Sequence, residues 1–380
     1  MINKLIIDNF KCFLNPTEFQ LSSLNIFTGY NGRGKSSVFQ TLLLLGQSFI
    51  KDGNIEKLEV NGNFVKLDLF EDLLYKNSSV SKLKDKMFFN LETDISEYRN
   101  VEVGYKEYTE RTGKICHLKI NGVDYFQEAG SIGGEKEEAT NKSLYTYPKH
   151  FHALFANFNY VSADRLGPTL FEEKDEISSI NPLNSNGDHR LNILSRNESL
   201  LETTNYWLNY IMDGGSVSIN GMDKKSAVLG LHIDAGNGSK DLKSINCGFG
   251  YSYILSVILV LLSTEEGCIF IENPEAHLHP LAQARLMELV CKQLKEKKIQ
   301  VFIETHSEHI INRVRLCTLK TEFAITNQDV SLYFFDKDYT VSSLTIDKDG
   351  QVSNWPIGFF DQQENDLREI LKLGLFKNGC

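Results

Sequence analysis

Gly29-Tyr30-Asn31-Gly32-Arg33-Gly34-Lys35-Ser36 is a run whose residue types and spacing suit one kind of chemistry, the grip of a phosphate chain. It fits the pattern G-x-x-x-x-G-K-S. Glycines let the backbone curl until its N–H groups face the phosphates, and a helix starting where the loop ends adds positive potential. In such a loop Lys35 reaches the terminal phosphates and the Ser36 hydroxyl ligates Mg²⁺. Gly29, Asn31, Gly32, Arg33, Gly34 and Ser37 complete the expected contacts with ATP. Both flanks agree. SLNIFTG at 23–29 reads as a strand, and Val38, Phe39, Leu42, Leu43, Leu45 and Phe49 give a helix over 36–50 its apolar face.

A phosphate loop needs a metal-binding acid at the end of another strand. Cys268-Ile269-Phe270-Ile271-Glu272 supplies one, followed by Asn273-Pro274-Glu275. Glu272 is placed to hold Mg²⁺ directly or through water, and Glu275 to orient or deprotonate the attacking water. His277 and His279 form an H-x-H pair that invites zinc, but the three or four ligands of a zinc centre are not found nearby. A strand over 299–304 runs into Thr305-His306-Ser307, which puts His306 on a ligand-binding edge, within reach of a γ-phosphate. Asn246-Cys247-Gly248-Phe249-Gly250-Tyr251-Ser252 precedes a long apolar helix and offers a second anion-binding helix start. Two such starts serve one nucleotide only if two chains face each other.

The elements that must position these residues alternate in the last third. Helix 251–263, strand 268–272, helix 281–295, strand 299–304 and a helix from about Glu308 imply a parallel sheet covered on both faces. Earlier, KLIIDNF reads as a strand before a turn at Asn15-Pro16. NVEVGYKEY, KICHLKIN and VDYF read as strands joined by turns at Thr112-Gly113 and Asn121-Gly122. Residues 128–143 lack apolar periodicity and read as a mobile loop. FNYVSA at 158–163 is a strand and Leu200–Met212 a helix. Asp349-Gly350 marks a late hairpin, with a partly helical tail after Trp355.

Composition narrows the class. With 41% hydrophobic and 24% charged residues, the 380-residue chain is neither disordered nor fibrous. Its net charge of −10 argues against coating nucleic acid through bulk charge. The seven cysteines are scattered with no C-x-x-C pair, which points to a reducing compartment. Asp8 interrupts the N-terminal apolar run, so no signal peptide is expected. The longest apolar stretch, Tyr253–Leu262, is about half of the ~20 residues that span a bilayer. The expected setting is the cytoplasm, without membrane contact.

As a set, NFKCF, GYNGRGKSS, YVSADRLGP at 160–168, NCGFGYS, IENPEAHLHP, ETHS and NWPIGFFD at 354–361 resemble the ATP-binding-cassette-type ATPases of the SMC, RecF and overcoming-lysogenisation-defect group. Small bacterial AAA-type members without a Toprim nuclease domain are the nearest in pattern. The resemblance implies an α/β P-loop NTPase core, a mixed sheet flanked by helices with a β-rich inserted lobe. One ATPase head over 1–380 then divides into a P-loop lobe at 1–75, a β-rich insertion at 76–150, a connecting region at 151–245, and a lobe at 246–380. The last carries the signature, the Walker B acid and the switch histidine. The resemblance also implies a homodimer, or a higher oligomer, with two ATP molecules between head-to-tail subunits. Asn246, Gly248, Gly250 and Ser252 of one chain would face the phosphate loop of the other, and His306 would be the switch histidine. Asn273 stands where such ATPases carry an acid, which passes the base role to Glu275 or makes hydrolysis slow. Tyr253 stands where relatives often carry Gln. Asp164 and Arg165 are the stand-ins for a Mg²⁺-sensing loop, and no heptad arm is present.

Three functions follow. The first is a dimeric Mg²⁺-dependent ATPase whose nucleotide state controls a separately encoded effector such as a nuclease, in prokaryotic defence against phage or foreign DNA, as in Septu-like and retron-associated systems. No HNH or Toprim acidic pattern is visible, so the killing chemistry is expected in another chain. The second is a RecF-like repair ATPase that contacts duplex DNA through a basic face, for which Lys292, Lys295, Lys297 and Lys298 are the candidates. The third is a slow-hydrolysing ATP-gated scaffold, favoured by Asn273.

Overall fold

The computed structural model describes residues 1–52, 55–76, 85–126, 154–155, 157–174, 189–222, 226–236, 241–353, 356 and 361–377. The first third holds β1 (Ile2–Asp8), β2 (Thr17–Gln20), β3 (Leu24–Gly29), α1 (Lys35–Asp52), β4 (Lys57–Glu59), β5 (Lys86–Thr93), β6 (Asn100–Thr109), β7 (Thr112–Ile120) and β8 (Val123–Phe126). The middle adds β9 (Phe158–Val161), β10 (Glu172–Glu173), α2 (Arg190–Ser195), α3 (Glu198–Met212), β11 (Ser216–Asn220), β12 (Val228–Asp234) and β13 (Leu242–Lys243). The last third alternates α4 (Phe249–Ser263), β14 (Glu266–Glu272), α5 (Pro280–Glu296), β15 (Lys298–Glu304), α6 (Glu308–Leu319), β16 (Val330–Phe335), β17 (Val341–Leu344) and α7 (Gln362–Lys377).

The central sheet runs β17-β16-β3-β15-β14-β9, parallel throughout except for the antiparallel edge strand β17. Period-two alternation gives it two apolar faces. Ile269, Ile271, Val301 and Ile303 point into a core shared with α4 and α5, while Phe270, Phe302, Phe27 and Phe335 point the other way. That second core takes in α1 and the antiparallel sheet β2-β1-β5-β6-β7-β4, in which β8 pairs with β7. Helix α4 is apolar on all sides because it is enclosed: Ile254 to Leu261 are buried without exception.

Strand β5 pairs with β1 from Ile2↔Thr93 to Asp8↔Phe88, so residues on either side of position 75 share one sheet. The turn expected at Thr112-Gly113 falls instead at Glu110 and Arg111, while Thr112 and Gly113 themselves lie in β7. Gly113 is there for space, since a Cβ on it would stand 2.5 Å from the Phe70 ring. Asn121 and Gly122 do form a turn, both with positive φ (51° and 83°), as a tight two-residue hairpin demands. Asp349-Gly350 also turns the chain, between the bridged residues Ile346 and Val352. Strands β2, β4, β5, β10, β11, β12, β13 and β16 and helix α2 were not foreseen. The expected loop at 128–143 and most of the 354–361 motif lie outside the described residues.

Candidate nucleotide site

The phosphate loop leaves the carboxyl end of β3, and the acids stand at the same end of the next two strands on one side, β15 and β14. In the order β3-β15-β14, Glu304 ends β15, Glu272 ends β14, and the two are in register. An open parallel sheet binds ligands at this edge. Gly29, Gly32 and Gly34 all have positive φ (123°, 69° and 106°). A Cβ on Gly29 would stand 2.3 Å from the Phe335 carbonyl oxygen, so both conformation and contact require glycine there.

Lys35 is 3% exposed and opens α1. Its ammonium donates to the carbonyls of Tyr30 (2.8 Å) and Gly29 (3.2 Å) and lies 4.0 Å from Glu304. Burial lowers its pKa, and Glu304 partly offsets the shift. The Ser36 hydroxyl donates to Glu304 Oε2 at 2.7 Å. Asn31 and Gly32 are exposed on the loop. Arg33 stacks over the Tyr339 ring at 4.4 Å and donates to its hydroxyl at 2.8 Å, tying the loop to the β16–β17 hairpin. Ser37 is buried, its hydroxyl beside the Cys12 thiol, so its side chain does not face the ligand edge as expected. A cleft of about 930 Å³ opens beside the loop, lined among others by Lys11, Phe13, Gly32, Tyr75 and Tyr339.

Glu304 was not singled out in the sequence, although Ile-Phe-Ile-Glu at 269–272 and Val-Phe-Ile-Glu at 301–304 repeat one pattern on neighbouring strands. Burial lifts its carboxyl pKa to about 7; Glu272 and Glu275 push the same way, against the Ser36 hydrogen bond and Lys35. Glu272 accepts a hydrogen bond from the Ala163 N–H at 3.1 Å. Beside it the buried Tyr160 phenol is held far above its ordinary pKa, by burial first and by the Glu272 charge second. Glu275 accepts from the Thr305 hydroxyl (2.8 Å) and from the backbone N–H of His306 (2.7 Å). Both of its oxygens therefore tie the turn after β14 to the segment after β15. Burial raises its pKa. The His306 ring opens to solvent on one side. Even so, the protein wall around it, then the Lys35 charge, holds its pKa below the ordinary value. Asn273 has φ 43°, a conformation Asn tolerates, and its side-chain oxygen is buried without a partner.

Other expected residues are placed differently. Arg165, expected in the stand-in for a Mg²⁺-sensing loop, is buried, stacks over Tyr253 at 5.1 Å, and donates to the carbonyls of Ser162 (3.0 Å), Glu272 (2.8 Å) and Asn273 (2.8 Å). It fixes the backbone that carries Glu272. Asp164 is exposed. Arg165→Ala leaves buried carbonyls unpaired at ~1–3 kcal/mol each, so a loss of roughly 3 kcal/mol in urea unfolding is expected. Asp164→Ala should stay within about 0.5 kcal/mol of wild type. Asn246 and Gly248 are exposed at the start of α4, but Gly250 packs inward, where a Cβ would meet the His277 carbonyl oxygen at 2.9 Å. Ser252 is wholly buried in the single chain, with its hydroxyl unpartnered. His277 stacks on Phe249 and meets Tyr253 edge-on, while His279 caps α5. Among the described residues no group of three or more His, Cys, Asp or Glu is arranged to hold a metal.

The fold and the site together define a P-loop nucleotide-binding ATPase with the α/β architecture of SMC heads. The AAA ATPase domain family matches residues 69–311, and the chain belongs to that family. The matched span includes Glu272, Glu275, Glu304 and His306 and begins after the phosphate loop. Residues 325–370 match a second family, described only as a protein of unknown function (DUF3696). No curated protein matches. Among solved structures, an SMC head bound to the C-terminal winged-helix domain of ScpA is 17% identical with a TM-score of 0.55; 91% of this chain and 98% of that one are covered. An SMC head with an extended coiled coil, bound to the C-terminal domain of ScpA, from Pyrococcus furiosus, is 12% identical with a TM-score of 0.54; coverage is 97% and 99%. At these identities the likeness is one of fold.

Proposed function

We propose that the chain binds ATP with Mg²⁺ and hydrolyses it while paired head to tail with a second copy around two nucleotides. The observation that carries this reading is the convergence, on one sheet edge, of a glycine-curled loop, a buried lysine and a serine hydroxyl with Glu272, Glu304, Glu275 and His306. Glu304 beside the Lys35 ammonium, with Glu272 in register on the next strand, suits a divalent cation, which would supply charge neutralisation of the phosphates. Ser36 and Glu272 would hold it, Lys35 would hold the terminal phosphates, and the cleft beside Lys11 and Tyr339 has room for the nucleoside end. Exposed Phe249, Gly248 and Asn246 at the start of α4 supply the face for the second copy.

Control of a separately encoded effector such as a nuclease, in defence against phage or foreign DNA, is the wider role proposed. The motif resemblance supports it, as does the occurrence of similar heads in complex with another protein. The DNA-contact alternative has less behind it: Lys292 stacks on Trp207, Lys295 reaches the Glu322 carbonyl, and Lys297 caps α4 through the Leu261 and Leu262 carbonyls. Among the described residues no helix is long and apolar enough to cross a membrane. ATP hydrolysis measured together with molar mass by light scattering, with and without ATP and Mg²⁺, tests the central reading. Turnover with ATP-dependent doubling of mass is expected. A chain that neither binds ATP nor pairs would sink it.

A further inference from the structure

Glu304 is 7% exposed and stands between the phosphate loop and Glu272. Register places Glu304 opposite Glu272 on adjacent parallel strands, about 4.8 Å apart at the backbone. Alternation sends both side chains to the face of Phe270 and Phe302, the face covered by α1. One Glu304 oxygen takes the Ser36 hydroxyl at 2.7 Å, while the other lies 4.0 Å from the Lys35 ammonium. A third carboxylate, Glu275, is close enough to act on Glu304 electrostatically. Above pH 7, where the Glu304 carboxyl is ionised, the edge that must receive a polyanion is therefore dominated by negative charge, with the Lys35 ammonium set against it.

We infer that Glu304 is a second carboxylate of the cation subsite, sharing the ion with Glu272 and Ser36, and that its charge makes nucleotide binding conditional on a divalent cation. This rests on the reading of the loop as a nucleotide site. The donor set suits Mg²⁺, which takes one or two carboxylates and leaves its other positions to phosphate and water. Without the ion, Glu304 and Glu272 repel the triphosphate, while the Ser36 hydroxyl, donating its proton to Glu304, keeps its lone pairs unused. With the ion, the same carboxylates become attractive, and the serine hydroxyl turns its lone pair from bystander to ligand.

The test is equilibrium titration of a fluorescent ATP analogue into the full chain well above pH 7, where Glu304 is ionised, in Mg²⁺ and in EDTA, for wild type, Glu304→Gln, Glu304→Asp and Lys35→Ala. Glu304→Gln keeps an acceptor for Ser36 but removes the charge. Its binding in EDTA should strengthen, and the gain on adding Mg²⁺ should shrink by about tenfold relative to wild type. Glu304→Asp keeps the charge and should keep the weak binding in EDTA, which a merely structural role would not predict. Mn²⁺ paramagnetic resonance on the nucleotide-loaded chains should show weaker ion retention in Glu304→Gln. A Glu304→Gln chain with the wild-type Mg²⁺ gain overturns this inference alone. Should Glu304→Gln not fold, Glu304→Asp binding in EDTA as strongly as in Mg²⁺ overturns it equally. A wild-type chain that binds nucleotide in neither buffer overturns the loop reading, and this inference with it.

Discussion

Lys35→Ala should lower affinity for ATP by about a thousandfold, the loss of two charge-assisted hydrogen bonds at ~1.5–3 kcal/mol each. The ammonium is already desolvated and already inside the loop, bonded to the Gly29 and Tyr30 carbonyls. Phosphate oxygens need only replace those carbonyls, so little ordering cost opposes binding. Removing the lysine also takes away the ammonium that faces Glu304, and the triphosphate then meets the charge of Glu304, Glu272 and Glu275 without it. The alanine at the first position of α1 is a good helix former, so the fold should survive. Fluorescent-nucleotide titration measures the loss, and circular dichroism with a melting curve separates it from unfolding. Unchanged affinity would remove the phosphate-loop assignment.

Much of the site was legible because strand-end motifs carry their own geometry. An apolar strand that stops at an acid or a glycine announces an edge, and GYNGRGKSS, IENPE and ETHS all lie at that edge in the structure. Glu304 escaped notice because attention to the histidine after it hid the acid before it; only the pairing of β14 with β15 shows that the two strand-end glutamates are neighbours. Arg165 could not be read at all from its surroundings in sequence. Its partners include backbone carbonyls more than 100 residues away, and carbonyls leave no mark on a sequence. Ser252 was misread for a different reason. Glycine-rich helix starts look exposed in sequence, but Gly250 packs against the turn around His277, and Ser252, on another side of α4, is buried as well. In the antiparallel sheet the strands after Asn100 were visible from turn residues and alternation. Strands β2 and β5 were not, because a four-residue edge strand and a strand entering from a polar stretch give too few alternations to count.

Glu275→Gln is expected to leave ATP binding intact and slow turnover by about 10²–10³, the range for loss of a general base. Because Asn273 has no carboxylate to offer, Glu275 is the acid left in the turn after β14. Its present partners pose a second possibility, that it acts by holding His306 in place. The amide distinguishes the two. In the Glu275→Gln chain the side-chain amide would keep an oxygen for the His306 N–H and turn its NH₂ toward the Thr305 hydroxyl, which can accept, so the tether survives while the base is lost. Glu275→Ala removes both. If Glu275 is the base, both variants stall, and light scattering with ATP and Mg²⁺ should find Glu275→Gln held at twice the 43.2 kDa of one chain. If it is only a tether, Glu275→Gln turns over at the wild-type rate and Glu275→Ala does not. Should the wild type itself pair, bind ATP and scarcely hydrolyse it, Asn273 is the deciding residue. The chain would then work as an ATP-held scaffold whose release depends on another component.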